Sequence, residues 1–190
     1  MPRAPMKRSP AREARMLEAA QALFLETGLR GATMEAIARR AGVAKPTLYA
    51  YFPDKEAMFL AVIAALVERM KTAVDAALAR PGPPETRVAE ALAAKYAVAN
   101  AMLAGSPHAE ALTSDRLVRS GESFRALEAW LIARIAETLR AAGRPEPEGR
   151  ARLLIACCDG LMAAGDFASL GSRVAFVAER LLREPEGEED

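Results

Sequence analysis

Apolar residues recur every three or four positions along most of this chain, the spacing that places them on one face of an α-helix. Leu127, Leu131, Ile135 and Leu139 form a clear series of this kind. Similar stripes predict helices over about 54–80, 85–103, 108–118, 124–142, 148–167 and 172–183. No segment shows the alternation of a half-buried strand. With three shorter helices before residue 54, the pattern predicts an all-α fold of about nine helices.

The segment 33–59 departs from these long stripes, because it reads as two short helices on either side of Gly42. Thr33 is a suitable N-cap for the first, and glycine after its last residue favours a left-handed turn. In the second, Leu48 and Phe52 are four residues apart and share one apolar face. Pro46 suits a first helical turn, where its missing N–H is no loss. The segment is typical of a helix-turn-helix.

The second short helix is polar and aromatic away from its apolar face, as a helix that enters a DNA major groove must be. Candidate DNA-binding residues on and beside it are Thr33, Lys45, Pro46, Thr47, Tyr49, Tyr51 and Lys55. Lysine ammonium groups and the hydroxyls of threonine and Tyr51 suit phosphate oxygens. Pro46 and Tyr49 present apolar surface to base edges. Tyr51 is equally compatible with an internal role that braces the motif.

The run G-V-A-K-P-T-L-Y-A-Y-F-P-D-K-E-A-M-F resembles the DNA-binding signature of the TetR family of transcriptional regulators. Met16-Leu17, Ala19-Ala20, Phe24 and Gly28 resemble that family's first helix, so the resemblance covers about residues 12–62. It implies that Tyr49 and Lys55 contact DNA. Ala44 stands where the family often has a serine that caps the recognition helix, and alanine cannot accept that hydrogen bond.

The resemblance also implies two domains: an N-terminal arm and helix-turn-helix domain over residues 1–53, and a helical effector-binding and dimerisation domain over residues 54–190. The candidate effector-binding residues are Met70, Tyr96, Met102, Phe124 and Trp130. Apolar walls of this kind suit an apolar or aromatic effector. Filling of the protein core is the alternative interpretation, because methionine and aromatic residues at helical spacing are commonly buried.

A small-residue ridge in the last two predicted helices is the candidate dimer interface. Ala156, Gly160 and Ala164 recur every four residues, which lets another helix approach closely. The helix after it offers Val174, Val177 and Leu181. By resemblance, the last long helices of two subunits pair into a four-helix bundle. Packing within one subunit is the alternative.

Charge is divided unevenly along the 190 residues, although the net charge is only +1. Residues 1–56 hold ten Lys and Arg against six Asp and Glu, a net +4, and the remainder holds sixteen against nineteen, a net −3. Local positive charge favours a phosphate backbone as partner. Arg3, Lys7, Arg8 and Arg12 form a basic arm that suits phosphates or a minor groove, or serves only as a solubilising tail.

The composition argues against several other classes of protein. We expect a cytoplasmic protein, because no apolar run is long enough to span a bilayer and no signal peptide is present. The adjacent Cys157 and Cys158 read as reduced core thiols, and no metal-ligand spacing or cofactor motif occurs. With a single histidine, no phosphate-binding glycine loop and no catalytic triad order, an enzyme is disfavoured.

Taken with the resemblance, these features predict a homodimeric repressor that binds a palindromic double-stranded DNA operator and is released by a small apolar or aromatic effector. The alternative is a dimeric DNA-binding regulator or activator without a small-molecule effector. The two share every DNA contact and differ only in ligand-induced release.

Overall fold

A computed structural model of the chain describes residues 9–108, 111–112, 121–163 and 170–182. These residues form helices and their connections, with no strand among them, which confirms the all-α prediction. Eight helices carry labels in chain order: α1 (Pro10–Gly31), α2 (Met34–Arg40), α3 (Lys45–Tyr51), α4 (Lys55–Leu78), α5 (Pro84–Leu103), α6 (Gly121–Ala141), α7 (Pro147–Ala163) and α8 (Leu170–Leu182). Most of the helix predicted over 108–118 lies outside the described residues.

The chain divides into two compact units, 1–65 with 103–121 and 66–102 with 122–190. Helix α4 is continuous across residue 65 and belongs to both. The domain boundary predicted after residue 53 stays a prediction. The compact N-terminal unit extends to residue 65 and so includes the first residues of α4. No helix in the described part of the chain is long and apolar enough to cross a membrane.

The N-terminal unit buries one apolar face from each of its helices. Met16, Phe24, Ile37 and Leu48 are nearly inaccessible to solvent, as are Met58 and Phe59 at the start of α4. The rings of Phe24 and Phe59 meet edge to face, with centroids 5.7 Å apart, which fixes α1 against α4. The periodicity that predicted the helices therefore also identified the side chains that hold them together.

Helix α1 bends at Gly28, whose φ of +71° is a conformation that glycine adopts without strain. The turn 106–108 packs against this bend. Ser106 Oγ donates to the Leu25 carbonyl at 2.7 Å, and the His108 ring would lie 3.3 Å from a Cβ at residue 28. His108, the only histidine, is thus part of the packing at the end of α1.

The second unit has an apolar core built from the later half of α4, α5, α6, α7 and α8. Its fully buried members include Val74, Leu92, Leu131, Leu154 and Val174. Arg134 on α6 donates to Asp75 on α4 at 2.9 Å, and Arg87 on α5 donates through Nε to the Leu78 carbonyl at 2.8 Å. Charged side chains at the rim therefore tie the same helices that the core joins.

The two cysteines are free thiols on α7, as predicted from their adjacency. Cys158 is fully buried, and burial raises the pKa of its thiol to about 12. A thiol with so high a pKa is almost entirely protonated at neutral pH, which suits a core residue rather than a nucleophile. Within the described ranges, no group of three His, Cys, Asp or Glu side chains is placed to hold a metal ion.

Gly42 provides a test of the turn between α2 and α3. Its φ is +65°, and no heavy atom lies within 4 Å of a Cβ added there, so Gly42→Ala introduces backbone strain without a clash. We expect a loss of about 1 kcal/mol in the free energy of unfolding, measured by urea denaturation. Gly149→Ala is the matched control, because Gly149 is helical and a Cβ there meets only ordinary contacts. The free energy of unfolding of the control should increase by roughly 0.5–1 kcal/mol. If both substitutions change the stability in the same direction, Gly42 is not held in a left-handed conformation.

Candidate nucleic-acid interface

Helices α2 and α3 are joined by a turn whose backbone groups are satisfied locally. Thr33 Oγ1 accepts from the Ala36 N–H at 3.2 Å and caps α2, as predicted. After Gly42, the Val43 N–H donates to the Ala38 carbonyl at 3.0 Å. Ala44 has no side chain that can cap α3, but its carbonyl accepts from the N–H groups of Thr47 and Leu48 at 2.8 and 3.1 Å. Helix α3 therefore begins at Lys45 without the usual side-chain cap.

The inner face of α3 is anchored by three buried side chains. Leu48 is fully buried, Tyr51 is 4% exposed and Phe52 is 5% exposed. The Tyr51 hydroxyl accepts from the Ser9 N–H at 2.8 Å, across 42 positions in the chain. Tyr51 thus connects the end of α3 to the start of α1. Of its two predicted roles, this position favours the internal brace, because the ring is buried and the hydroxyl accepts from Ser9.

The opposite side of the motif is open to solvent. We use the term outer surface for the exposed residues Thr33, Glu35, Lys45, Pro46 and Tyr49. Tyr49 is 38% exposed, so part of its ring is open to solvent. Thr47 is half-buried beside this surface. The structure therefore places Thr33, Lys45, Pro46 and Tyr49 where an external molecule can reach them.

Lys45 forms an ion pair with Glu35, which joins the first turn of α2 to the first residue of α3. Both side chains are more than half exposed. The hydrogen bond to Lys45 lowers the pKa of Glu35, and the same bond raises the pKa of Lys45. The Lys45 Nζ also lies 5.8 Å from the centroid of the Tyr49 ring. The three side chains form one contiguous group on the outer surface.

Lys55 is bound to the protein backbone at the start of α4. Its Nζ donates to the carbonyls of Ala32 at 3.0 Å and Arg30 at 3.3 Å, at the C-terminal end of α1. An ammonium group has three donors, so one remains for a phosphate. Asp54 Oδ1 accepts from the Ala57 N–H at 2.7 Å and caps the start of α4.

A second charged pair joins α1 to α2. Arg40 donates through both terminal nitrogens to the Glu26 carboxylate, at 2.6 and 2.7 Å. This bond lowers the pKa of Glu26 and raises the pKa of Arg40. The basic residues Arg3, Lys7 and Arg8 of the predicted arm lie outside the described residues.

The predicted effector-binding residues all belong to the second unit and meet its core. Met70 and Tyr96 are buried within it, and Met102, Phe124 and Trp130 pack against it. The Tyr96 hydroxyl donates to Asp159 at 2.8 Å, and burial, followed by that carboxylate, raises the pKa of Tyr96 well above its ordinary value. The Lys71 Nζ lies 5.8 Å from the Trp130 ring centroid. These contacts are compatible with core filling and with a ligand wall alike.

The predicted dimer ridge is partly on the surface of the subunit. Ala156 and Gly160 are exposed on α7, and no heavy atom approaches a Cβ placed at Gly160 within 4 Å. Leu153 beside them is 51% exposed, and Phe176 on α8 is 61% exposed. Ala164 lies outside the described residues.

The three α8 residues predicted for this interface are placed differently. Val177 and Leu181 pack partly buried against the core of their own subunit. Val174 is fully buried inside that core, so its side chain is not available to a partner.

The sequence of residues 16–62 matches the family described as bacterial regulatory proteins of the tetR family. This segment holds most of α1, the whole of α2 and α3, and the start of α4. Residues 16–62 of the chain belong to the tetR family. Its anchored α3 and open outer surface lie inside the matched segment, so the family's signature and the candidate interface coincide.

Two Mycolicibacterium smegmatis proteins resemble the chain over this part. It is 35% identical over 78 residues to the HTH-type transcriptional regulator EthR, and 40% identical over 67 residues to the HTH-type transcriptional activator FasR. These matches cover 40% and 35% of this chain, but only 36% and 31% of the relatives' own lengths. The sequence similarity to these tetR-type regulators is therefore confined to about a third of each protein.

The similarity in fold extends further than the similarity in sequence. A TetR-like transcriptional regulator from Rhodococcus sp. RHA1 has a crystal structure that superposes with a TM-score of 0.57 at 25% identity. The match covers 96% of this chain and 96% of that one. The helices beyond the tetR segment therefore follow an arrangement found in a solved regulator.

Sequence reasoning did not identify two contacts of the interface. The Glu35 partner of Lys45 was missed, although an acid in the first turn of α2 and a base at the start of α3 are visible in the sequence. The Ser9 contact of Tyr51 could not be found from a local pattern, because the two residues are 42 positions apart.

Tyr51→Phe tests the internal role of this tyrosine. Loss of the hydroxyl leaves the Ser9 N–H without its acceptor, so we expect a decrease of about 1 kcal/mol in the free energy of unfolding by urea denaturation. Tyr49→Phe is the matched control, because Tyr49 is exposed, and its stability should stay within about 0.5 kcal/mol of the parent protein. If the two substitutions change the free energy of unfolding equally, Tyr51 does not stabilise the motif through Ser9.

Proposed function

We propose that the protein is a DNA-binding transcriptional regulator whose outer surface enters the major groove of double-stranded DNA. The observation that carries this proposal is the division of α3. Its seven residues bury Leu48 and Tyr51 and expose Lys45, Pro46 and Tyr49. A helix with so little buried surface contributes little to a core, whereas a short anchored helix suits insertion into a groove.

The proposed contacts divide into positioning and reading. Lys45 and Lys55 would neutralise phosphates, and the hydroxyls of Thr33 and Thr47 would bond to phosphate oxygens. Pro46 and Tyr49 would present apolar surface to base edges, for which a thymine methyl is a suitable partner. We omit Tyr51 from the DNA contacts, because its ring is buried and its hydroxyl holds Ser9.

We further propose that the protein acts as a homodimer through an α7–α8 face made of Leu153, Ala156, Gly160 and Phe176. Exposure of two large apolar side chains next to a small-residue ridge supports this proposal. A single two-turn helix provides few DNA contacts, and two-fold symmetric proteins double them by reading both halves of a palindrome. Val174 is left out of this face because it fills the core of its own subunit.

The proposed mode of regulation is repression of the operator that ends when a small apolar or aromatic effector binds near Met70, Tyr96, Met102, Phe124 and Trp130. Helix α4 would carry the response, since one continuous helix contains both Lys55 and Met70. A ligand that prefers one position of α4 shifts the population toward it. Two recognition helices displaced from a spacing of about 34–36 Å cannot occupy successive major grooves together.

A regulator or activator without an effector remains the second candidate. The observation behind it is the burial of Met70 and Tyr96, because both side chains can be accounted for as core filling without a ligand. The relative FasR is named as an activator, so the sign of regulation is a separate question. Titration of candidate effectors against operator binding separates the two proposals, because only the first predicts release.

The proposed function is tested by selecting bound duplexes from a random-sequence pool and measuring their affinity at several salt concentrations. We expect a palindromic consensus. Lys55→Ala should reduce the slope of log affinity against log salt by about one unit for every sequence, because one phosphate contact is lost. Arg80→Ala removes the same charge outside the helix-turn-helix and should leave the slope unchanged. Failure to enrich any sequence would contradict the proposal, and an unchanged slope would remove Lys55 from the phosphate contacts.

Gly160→Arg tests the proposed dimer face. No atom within 4 Å of the Cβ position opposes a side chain in the subunit, so the fold should survive, whereas a partner helix would be excluded. We expect sedimentation as a monomer and at least tenfold weaker operator binding, since two half-sites no longer bind together. Arg152→Ala, at another exposed position of α7, serves as the control for surface changes. A Gly160→Arg protein that sediments as a dimer would place the interface elsewhere.

A further inference from the structure

The outer surface contains a negative charge that does not fit a simple DNA-binding surface. Glu35 is exposed in the first turn of α2, among the residues proposed to meet phosphates and bases. A carboxylate near a phosphate backbone repels it, and this repulsion falls only slowly over a few ångströms. Affinity for DNA therefore does not explain the presence of a glutamate at this position.

The contacts of Glu35 indicate what it does in the free protein. Its carboxylate pairs with Lys45, the only lysine of α3 and the one that opens the helix. Tyr49 also lies near the ammonium, with the ring centroid 5.8 Å from Nζ. The lysine nitrogen therefore has both a carboxylate and an aromatic ring as neighbours.

The position of this ion pair leaves it little part in stabilising the fold. Both side chains are more than half exposed, and exposed pairs contribute little to stability. The pair does, however, decide where the Lys45 charge is located before DNA arrives. An exposed pair can exchange one anionic partner for another at small cost.

We propose that Glu35 restrains Lys45 in the free protein and competes with DNA phosphate for it, so that Glu35 is a positioning residue that weakens binding to duplexes of any sequence. This inference rests on the proposed function, because it concerns the same surface. Formation of the complex moves the Lys45 ammonium from a carboxylate to a phosphate oxygen. The loss of the Glu35–Lys45 pair is then offset by contacts of Pro46 and Tyr49 with base edges. DNA sequences whose bases make those contacts are therefore favoured.

The chain provides a matched control in the Glu26–Arg40 pair. Glu26 has the same exposure as Glu35, is paired with a base, and lies in the same unit, but it joins α1 to α2 rather than α2 to α3. Glu26→Gln and Glu35→Gln change the net charge equally. A difference between the two variants therefore cannot come from the total charge, and the Lys45→Gln background shows whether it depends on Lys45.

The experiment measures affinity by fluorescence anisotropy for a random-sequence duplex of about 30 base pairs, long enough for two half-sites one helical turn apart. The proteins are the parent, Glu35→Gln, Lys45→Gln, the double variant, and Glu26→Gln in the parent and Lys45→Gln backgrounds. We expect Glu35→Gln to tighten binding about two- to fivefold, the range that exposed ion pairs supply. Glu26→Gln should give less than half of that gain. In the Lys45→Gln background, the gain from Glu35→Gln should fall to less than half of its value in the parent protein, because no Lys45 ammonium is left to release.

A second measurement follows the pair without DNA. The Glu35 carboxyl should titrate at higher pH in Lys45→Gln than in the parent protein, when followed by nuclear magnetic resonance, because its hydrogen-bond donor is gone. The Glu26 carboxyl should titrate unchanged in that variant, since its partner is Arg40. An unchanged Glu35 would show that the pair does not form in solution, which overturns the inference.

Three binding results would also overturn it. Equal gains from Glu35→Gln and Glu26→Gln in the parent background would mean that only total charge matters. An undiminished gain from Glu35→Gln in the Lys45→Gln background would mean that Lys45 is not the group released. Weaker binding by Glu35→Gln would mean that Glu35 itself contacts DNA, for instance by accepting from a cytosine amino group. If the parent protein binds no duplex at all, the proposed DNA-binding function is wrong as well. If the parent protein binds DNA but Glu35→Gln does not change its affinity through Lys45, only the inference about Glu35 is wrong.

Discussion

A helix of two turns is not stable in water by itself, and the N-terminal unit is organised around that constraint. Fixing the first turn of a helix costs more than its hydrogen bonds return, so a seven-residue helix depends on packing. Helix α3 meets this requirement with Leu48 and Tyr51 in its own length and Phe52 immediately after it. The same helix leaves Lys45, Pro46 and Tyr49 exposed. An exposed surface of varied chemistry on an anchored helix is the consequence.

Local features of this unit were predictable because each depends on neighbouring residues. The Thr33 cap, the left-handed Gly42 and the shared face of Leu48 and Phe52 all follow from sequence spacing within a few positions. Tyr51 was ambiguous for the opposite reason, since only the distant Ser9 decides what its hydroxyl does. Lys55 is a similar case, because its ammonium binds carbonyls 23 and 25 positions earlier. Tertiary contacts of this range leave no periodic pattern in the chain.

The second unit shows how far spacing can be trusted when a residue type is common in cores. The apolar stripe of α6 was correct, since Leu127, Leu131, Ile135 and Leu139 are all buried, and the five candidate effector residues do share one core. Spacing cannot distinguish a core side chain from a ligand wall, because both are apolar and both are covered. It also could not separate Val174 from Val177 and Leu181, since burial within the subunit decides between them.

The central claim, that the outer surface of α2 and α3 meets DNA, can be tested through the five lysines of the chain, Lys7, Lys45, Lys55, Lys71 and Lys95. Acetylation of each lysine is followed by mass spectrometry, with and without a saturating random-sequence duplex. If the outer surface meets DNA, the duplex slows the acetylation of Lys45 severalfold and leaves Lys71 and Lys95 unchanged, since neither belongs to that surface. Unchanged acetylation of Lys45 in DNA-bound protein, or protection of Lys71 and Lys95 in its place, would show that DNA does not bind there.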